Sequence, residues 1–483
     1  MSARKFRMID AVLTVICVVF VCEAAAPAAA IGNQQYFWWV FLILAFLLPY
    51  GLIVCELGTA YADDPGGIAD WVRRAFGDTW SSRCAYYYWI NFPLWMASLA
   101  FLFPETINLI AGIELGTVPS IVIELAFVWI VVLISFSKTS ESAWILNLSA
   151  VLKVAVALTL GGLGIWYAVE HGFASDMDPL TFLPSTSLDS LTYLSVILFN
   201  FMGFEAIAVF ADDMDNPSRQ IPAAIIVGGI AIAAIYLFSA FGIGVAIPAD
   251  QISLDSGLMD ALSIMVGTSN ILFPIVGTMF LITLLGNMVS WSFGVNFVAA
   301  NAARKGNMPR VFAHINKKGV PTGASVVNGL IASVLVLASP VLSALGLDGF
   351  FWIFFSMNVV FLLITYAPMF PAFLKLRAVD PSTRRLFKVP GGVLVQRVCA
   401  YLPMLMLGFA LVATVAPFNG SDEEMTKIPL LVGVLVFAVL GEIMRMVSAR
   451  KRTESYLGMK RCGDPDEWDA SHGIEGMEDG ARQ

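Results

Sequence analysis

Long apolar runs recur along the whole chain and leave few folds open to it. Each run holds roughly 18 to 25 mostly apolar residues, enough for an α-helix to cross a hydrocarbon core of about 30 Å. A water-soluble core could not bury this surface, because 58% of the 483 residues are hydrophobic and only 13% are charged. We predict an all-α integral membrane protein with twelve transmembrane helices, at 8–31, 36–61, 84–112, 118–137, 142–168, 189–211, 221–247, 269–302, 322–346, 349–374, 397–418 and 428–448.

Positive charges are concentrated in alternate loops. Lysines and arginines precede span 1, follow spans 2, 8 and 10, and follow span 12, whereas the opposite loops hold mainly aspartate and glutamate. By the positive-inside rule this pattern puts both termini in the cytoplasm. It predicts a multi-pass protein of the cell membrane, in contact with lipid. The net charge of −8 gives no argument for binding nucleic acid, and we expect no such partner.

The motifs of enzymes and ATP-driven pumps are missing from the sequence. It has no phosphate-binding loop, HExxH motif, nucleophile elbow or metal-spaced histidine cluster, and its six cysteines form no CxxC pair. We therefore expect no metal, no cofactor and no enzymatic activity. The first thirty residues are similar to a signal peptide, but Glu23 and Pro27 interrupt their apolar run, so we expect them to be retained as span 1.

Two spans are interrupted near the middle, which is costly in lipid unless the freed backbone groups line a cavity or contact other helices. The interruptions are Cys22-Glu23-Ala24-Ala25-Ala26-Pro27 in span 1 and Asn200-Phe201-Met202-Gly203-Phe204-Glu205 in span 6. Transporters built from inverted repeats break their helices at matching places in the two halves. We predict a five-plus-five inverted repeat with halves at 1–168 and 189–374, two accessory helices at 397–448 and a disordered acidic cytoplasmic tail at 453–483.

Three ordered motifs lie around these interruptions. They are Glu56-Leu57-Gly58 through Pro65-Gly66-Gly67 and Trp71 to Gly77, then Gly203-Phe204-Glu205-Ala206 with Asp215 to Pro222, and Asn301 to Pro309 with Gly319-Val320-Pro321. Together they resemble the amino acid–polyamine–organocation (APC) superfamily of secondary transporters, nearest its amino acid and polyamine antiporters. The resemblance implies alternating access around a mid-membrane substrate site between the two broken helices.

Glu23 lies inside the first interruption, where an ionised group costs several kcal/mol unless it is paired, protonated or hydrated. In the resembled family this stretch is rich in glycine and serine, and its backbone N–H groups take a substrate carboxylate. Here Ala24 and Ala26 stand beside Glu23, and Pro27 has no N–H to offer. The departure favours a cationic substrate group. The alternative is a neutral or hydrogen-bonded structural glutamate.

Two further charged residues are candidates for coupling. Glu205 follows Gly203 by two residues and matches an acid that the resembled family associates with substrate gating; alternatively it hydrogen-bonds loose backbone near the break. Lys153 lies within span 5, where some carriers of the family place an ammonium group beside span 1 at the sodium position of related transporters. The resemblance implies sodium-independent transport, proton-coupled or by exchange. The alternative places Lys153 near the cytoplasmic end of its span.

Two aromatic residues match positions that line the substrate in arginine/agmatine-type carriers of the family. These are Trp291 in span 8 and Phe199 in span 6. A cation over such a ring is stabilised by roughly 0.5–2 kcal/mol, which suits an amine substrate. Ordinary packing is the alternative for both.

The leading hypothesis is a secondary transporter that moves a small amine-bearing solute by alternating access. A polyamine, a decarboxylated amino acid or a cationic amino acid fits the acid in the first break. A neutral amino acid exchanger is the alternative within the class. A receptor or sensor with a transporter fold is the alternative outside it, although the polar tail offers no signalling domain. A channel lacks repeated rings of filter residues.

Overall fold

The computed structural model describes residues 19–61, 66–138, 141–184, 194–204, 217–418 and 427–462, and every regular element within these ranges is helical. The helices are α1 (Ala25–Ala29), α2 (Gln35–Ala60, with a π-helical segment at Ile43–Leu47), α3 (Ile68–Phe76), α4 (Asp78–Ala111), α5 (Thr117–Ile134), α6 (Ala143–His171), α7 (Leu194–Phe199), α8 (Pro217–Ala246), α9 (Gly257–Val266), α10 (Leu272–Arg304), α11 (Thr322–Ala344), α12 (Phe350–Tyr366), α13 (Met369–Val379), α14 (Val393–Val415) and α15 (Lys427–Cys462). Short 3₁₀ segments occur at Cys22–Ala24, Pro179–Phe182, Ala249–Gln251 and Arg310–Ala313.

Ten helical segments of the described ranges are long and apolar enough to cross a membrane. They coincide with predicted spans 2–5 and 7–12, α12 and α13 counting as one segment. The predicted all-α membrane fold is therefore confirmed. The count of twelve spans and the inverted repeat stay predictions.

The chain is interrupted at both places that the sequence indicated. At the first, Val21 is extended (φ −130°, ψ 128°) and a 3₁₀ turn follows before α1. Pro27 fits inside α1 because it falls in the first turn, where a backbone N–H has no intrahelical acceptor. At the second, α7 ends at Phe199 and Gly203 adopts a φ of +101°. Residues 205–216 lie outside the described residues.

Helix α4 occupies the centre of the molecule and packs against α12, α10, α5 and α11. Helix α8 follows the second break and packs along α6. Their closest approach is at Gly242, where an added Cβ would lie 2.2 Å from the carbonyl oxygen of Leu160. Only glycine permits this approach, so Gly242 sets how near α8 comes to α6.

A buried ion pair joins the end of α2 to the chain after α12. Glu56 is 0% exposed and accepts two hydrogen bonds from the guanidinium of Arg377, one of them at 2.7 Å. Arg385 lies 3.3 Å from the same carboxylate, and the backbone N–H of Val389 donates to it at 2.7 Å. The connection between α13 and α14 is thereby anchored to α2.

A second carboxylate ties α3 to the end of α10. Lys305 lies 2.7 Å from Asp70, and Asn301 donates to the same carboxylate at 3.1 Å. Asp70 also accepts the backbone N–H of Gly66 at 2.9 Å. Asp70 therefore holds the start of α3 against the end of α10.

Helix α15 continues further than composition indicated. It runs to Cys462 and so includes 453–462, which were predicted to begin the disordered tail. The reason is that helix propagation from an already formed span costs little, whereas nucleation is the expensive step. Residues 463–483 lie outside the described residues.

We predict that Glu56→Gln lowers the stability of the protein by about 3 kcal/mol, because removing one partner leaves two arginines without their counter-charge in a buried setting. The thermal unfolding midpoint in detergent measures the effect. The control is Glu141→Gln, whose exposed pair with Lys318 at 2.7 Å should matter little. Equal midpoints for the two variants would contradict the prediction.

Candidate functional site

A chain of hydrogen bonds joins three polar side chains at the first break. The amide nitrogen of Asn287 in α10 donates to Glu23 Oε1 at 3.1 Å. The ammonium of Lys153 in α6 donates to the amide oxygen of Asn287 at 2.9 Å. Glu23 is 4% exposed, Lys153 is 2% exposed and Asn287 is fully buried. One amide therefore bridges an acidic and a basic side chain in a setting where electrostatic interactions are strong.

The backbone around Lys153 also reaches the first break. Cys22 Sγ donates to the carbonyl oxygen of Lys153 at 3.6 Å. Lys153 is thus held against the first break by its side chain through Asn287 and by its carbonyl through Cys22. The side chain of Lys153 is buried and faces α10, and its coupling role stays a prediction.

Aromatic rings form one wall beside Glu23. The ring of Trp95 in α4 lies 5.4 Å from Trp291 and 5.2 Å from Phe199, centroid to centroid, with edge-to-face geometry in both cases. Phe199 in turn lies 5.5 Å from Phe355 of α12. The indole of Trp95 adjoins the Glu23 carboxylate. The π-faces of these rings suit contact with a cation.

Tyrosine hydroxyls satisfy backbone groups at both breaks. Tyr236 of α8 accepts the N–H of Val21 at 2.9 Å and donates to the amide oxygen of Asn200 at 3.0 Å. Tyr366 at the end of α12 accepts the N–H of Gly203 at 3.2 Å. Tyr236 therefore links the two breaks directly, since Val21 belongs to the first and Asn200 to the second.

The remaining predicted site residues have different surroundings. An added Cβ on Gly203 would lie 3.4 Å from the Trp291 ring, at ordinary van der Waals distance, so Gly203 lies against the aromatic wall. Ala24 and Ala26 are buried. The Cβ of Ala26 lies 3.2 Å from the place of a Cβ on Gly257, and hence faces α9. Glu205 lies outside the described residues, and its role stays a prediction.

Sequence reasoning missed four residues of this arrangement. Asn287 had a usable signal, because an amide inside an apolar span one turn before Trp291 needs a buried partner. Trp95 and the two tyrosines, Tyr236 and Tyr366, had none, since aromatic residues are frequent in every span. The described residues contain no group of three or more His, Cys, Asp or Glu side chains that could hold a metal ion.

Comparison with known proteins identifies the kind of molecule that this arrangement belongs to. Residues 6–440 match the model of the amino acid permease family. The chain belongs to the amino acid permease family. The resemblance to the APC superfamily is thereby confirmed, and this family member is a membrane transporter rather than an enzyme.

Relatives of known name agree with this assignment. The chain is 49% identical to the probable agmatine/putrescine antiporter AguD of Lactococcus lactis subsp. lactis (strain IL1403) over 444 residues, 91% of this chain and 94% of the relative. It is 22% identical to a glutamate/gamma-aminobutyrate antiporter of the same strain, over 82% of this chain and 81% of the relative. The chain is therefore a permease whose relatives include antiporters.

A solved structure shows the same fold. The crystal structure of MhsT in complex with L-phenylalanine matches with a TM-score of 0.53 and 16% sequence identity, and the match covers 85% of this chain and 98% of that chain. At this identity the likeness concerns the arrangement of helices alone.

We predict that Gly203→Ala destabilises this permease by about 1–3 kcal/mol, because a φ of +101° strains any residue with a Cβ. The unfolding midpoint in detergent measures it. Gly408→Ala is the matched control, since a Cβ there meets nothing within 4 Å and the residue lies inside α14. If the unfolding midpoint of Gly203→Ala equals or exceeds that of Gly408→Ala, the predicted backbone strain is absent.

Proposed function

We propose that this permease is a secondary transporter that exchanges small amines, such as agmatine and putrescine, across the cell membrane by alternating access. The observation that carries the proposal is the buried carboxylate of Glu23, set in the first break beside an aromatic wall. The relative AguD, named a probable agmatine/putrescine antiporter, supports the same substrate class.

Glu23 would bind the ammonium group of the substrate by a charge-assisted hydrogen bond. Trp291 and Phe199 would cover the cation and its alkyl chain, with Gly203 letting the second break approach them. The small side chains of Ala24 and Ala26 would leave space beside the backbone of the first break. Asn287 would hold the Glu23 carboxylate in position through its 3.1 Å hydrogen bond.

Charge balance favours exchange over one-way transport. An ionised Glu23 and a protonated Lys153 together carry no net charge, so an arriving amine adds a positive charge to a buried region. Such a charge is costly in a low-dielectric surrounding unless something compensates it. Agmatine and putrescine each carry two positive charges near neutral pH, so exchange of one for the other leaves the charge unchanged. Release of a proton, for which Glu205 is the candidate, would offset one of the two charges.

The one-sided distribution of cations orients the carrier. Both termini and the face with α3 and the Glu56 cluster would lie in the cytoplasm, and the outer surface of the helices would contact lipid. The substrate site would then open to the cytoplasm when the contacts of Glu56 and Asp70 separate.

Counterflow in proteoliposomes tests the proposed function. Vesicles loaded with unlabelled agmatine should accumulate labelled agmatine or putrescine, and empty vesicles should take up far less. A panel that includes neutral amino acids distinguishes the alternatives. If the amines show no counterflow while neutral amino acids exchange rapidly, the proposal is contradicted. Ligand binding without any transport would favour a sensor.

We predict that Glu23→Gln weakens agmatine binding by about ten- to hundredfold, because a hydrogen bond to a charged group contributes about 1.5–3 kcal/mol. Calorimetric titration of the purified protein measures it. The control is Glu114→Gln, an exposed glutamate in the connection after α4. An unchanged affinity in Glu23→Gln would remove this residue from the binding site.

We also predict that exchange does not depend on sodium, because the Lys153 ammonium lies against the first break and supplies a fixed cation there. Replacing external sodium by potassium at constant ionic strength should leave the initial rate of agmatine counterflow unchanged. A rate that rises with sodium concentration would refute this role of Lys153.

A further inference from the structure

Two backbone donors at the first break, those of Val21 and Glu23, are already in use. Val21 is extended, and its N–H donates to the hydroxyl of Tyr236 at 2.9 Å. The carboxylate of Glu23 accepts from its own backbone N–H. Pro27 contributes no N–H. An incoming carboxylate would therefore compete with a phenol oxygen and with the carboxylate of Glu23 itself.

Tyr236 is held firmly in this place. It is 0% exposed, its ring stacks on Trp39 at 5.1 Å, and it meets Phe20 edge-on at 4.7 Å. Its hydroxyl donates to Asn200 at 3.0 Å, which leaves the oxygen lone pairs free to accept from Val21. The hydroxyl cannot turn away without breaking both bonds.

Among the described residues of the second break, the backbone N–H groups from Asn200 to Gly203 are also in use. The N–H of Gly203 donates to the hydroxyl of Tyr366 at 3.2 Å. A carboxylate bound at the first break would also lie close to the Glu23 carboxylate, and like charges at close range repel strongly where water is scarce. The arrangement suits the amine part of a substrate and disfavours an α-carboxylate.

We propose that Tyr236 is a specificity-determining residue, whose hydroxyl fills the position that the carboxylate of an amino acid would need and so makes the carrier select amines over the corresponding amino acids. The inference rests on the proposed function and deepens it. Tyr236 acts by occupying the Val21 N–H and holding the second break through Asn200. Glu23 supplies the negative group that the amine substrate lacks.

Two pairs of compounds that differ by one carboxylate test the proposal, agmatine with arginine and putrescine with ornithine. Inhibition of labelled agmatine counterflow gives a ratio of half-inhibitory concentrations for each pair. Tyr236→Phe keeps the ring and removes the hydroxyl, so it frees the Val21 N–H. We expect the arginine-to-agmatine and ornithine-to-putrescine ratios to fall about tenfold, as for the gain of one hydrogen bond.

Tyr401→Phe is the matched control, because Tyr401 is 52% exposed on α14 and should leave both ratios unchanged. Should Tyr236→Phe fail to fold, Asn200→Ala keeps the tyrosine but removes its acceptor, and both ratios should fall in the same direction. Intact agmatine counterflow with unchanged ratios in the folded variants would overturn this inference alone. Absence of amine counterflow by the unmodified protein would overturn the proposed function and this inference with it.

Discussion

The hydrogen-bonded chain from Lys153 through Asn287 to Glu23 is the contact on which the rest of the site depends. It joins helices α6 and α10 to the first break, where no regular helix could hold the backbone in place. The three buried polar groups satisfy one another, and removing one of them leaves the others without partners, which is strongly destabilising. The position of the first break, and with it that of the aromatic wall, follows from this chain.

The two breaks are joined to each other by a different kind of contact. The Tyr236 hydroxyl bonds Val21 on one side and Asn200 on the other, and Tyr366 satisfies Gly203. Backbone groups freed by a broken helix must find partners in lipid, and side chains of neighbouring helices supply them here. The breaks are therefore stable without a bound solute, yet their partners are side chains that can rearrange when the helices move.

The fold followed from sequence far better than the site did. Apolar runs report directly on membrane spans, and the motifs around Glu56, Gly203 and Asn301 identified the family because they combine unusual residues at fixed separations. Glu23 and Lys153 were visible because ionised residues are rare within spans. Tyr236 was not, because nothing in an apolar run tells a tyrosine that caps a backbone N–H from one that fills space. Such a contact joins residues 215 positions apart, and only the packed helices bring them together.

An experimental structure with bound agmatine is the sharpest test of whether Glu23 binds the amine substrate at the first break. We expect a cationic nitrogen of agmatine within about 3 Å of the Glu23 carboxylate. Trp291 should contact the alkyl chain of agmatine, and the Tyr236 hydroxyl should still accept the hydrogen bond of the Val21 N–H. Agmatine bound elsewhere, with the Glu23 carboxylate contacting only Asn287 and its own backbone, would contradict this role of Glu23.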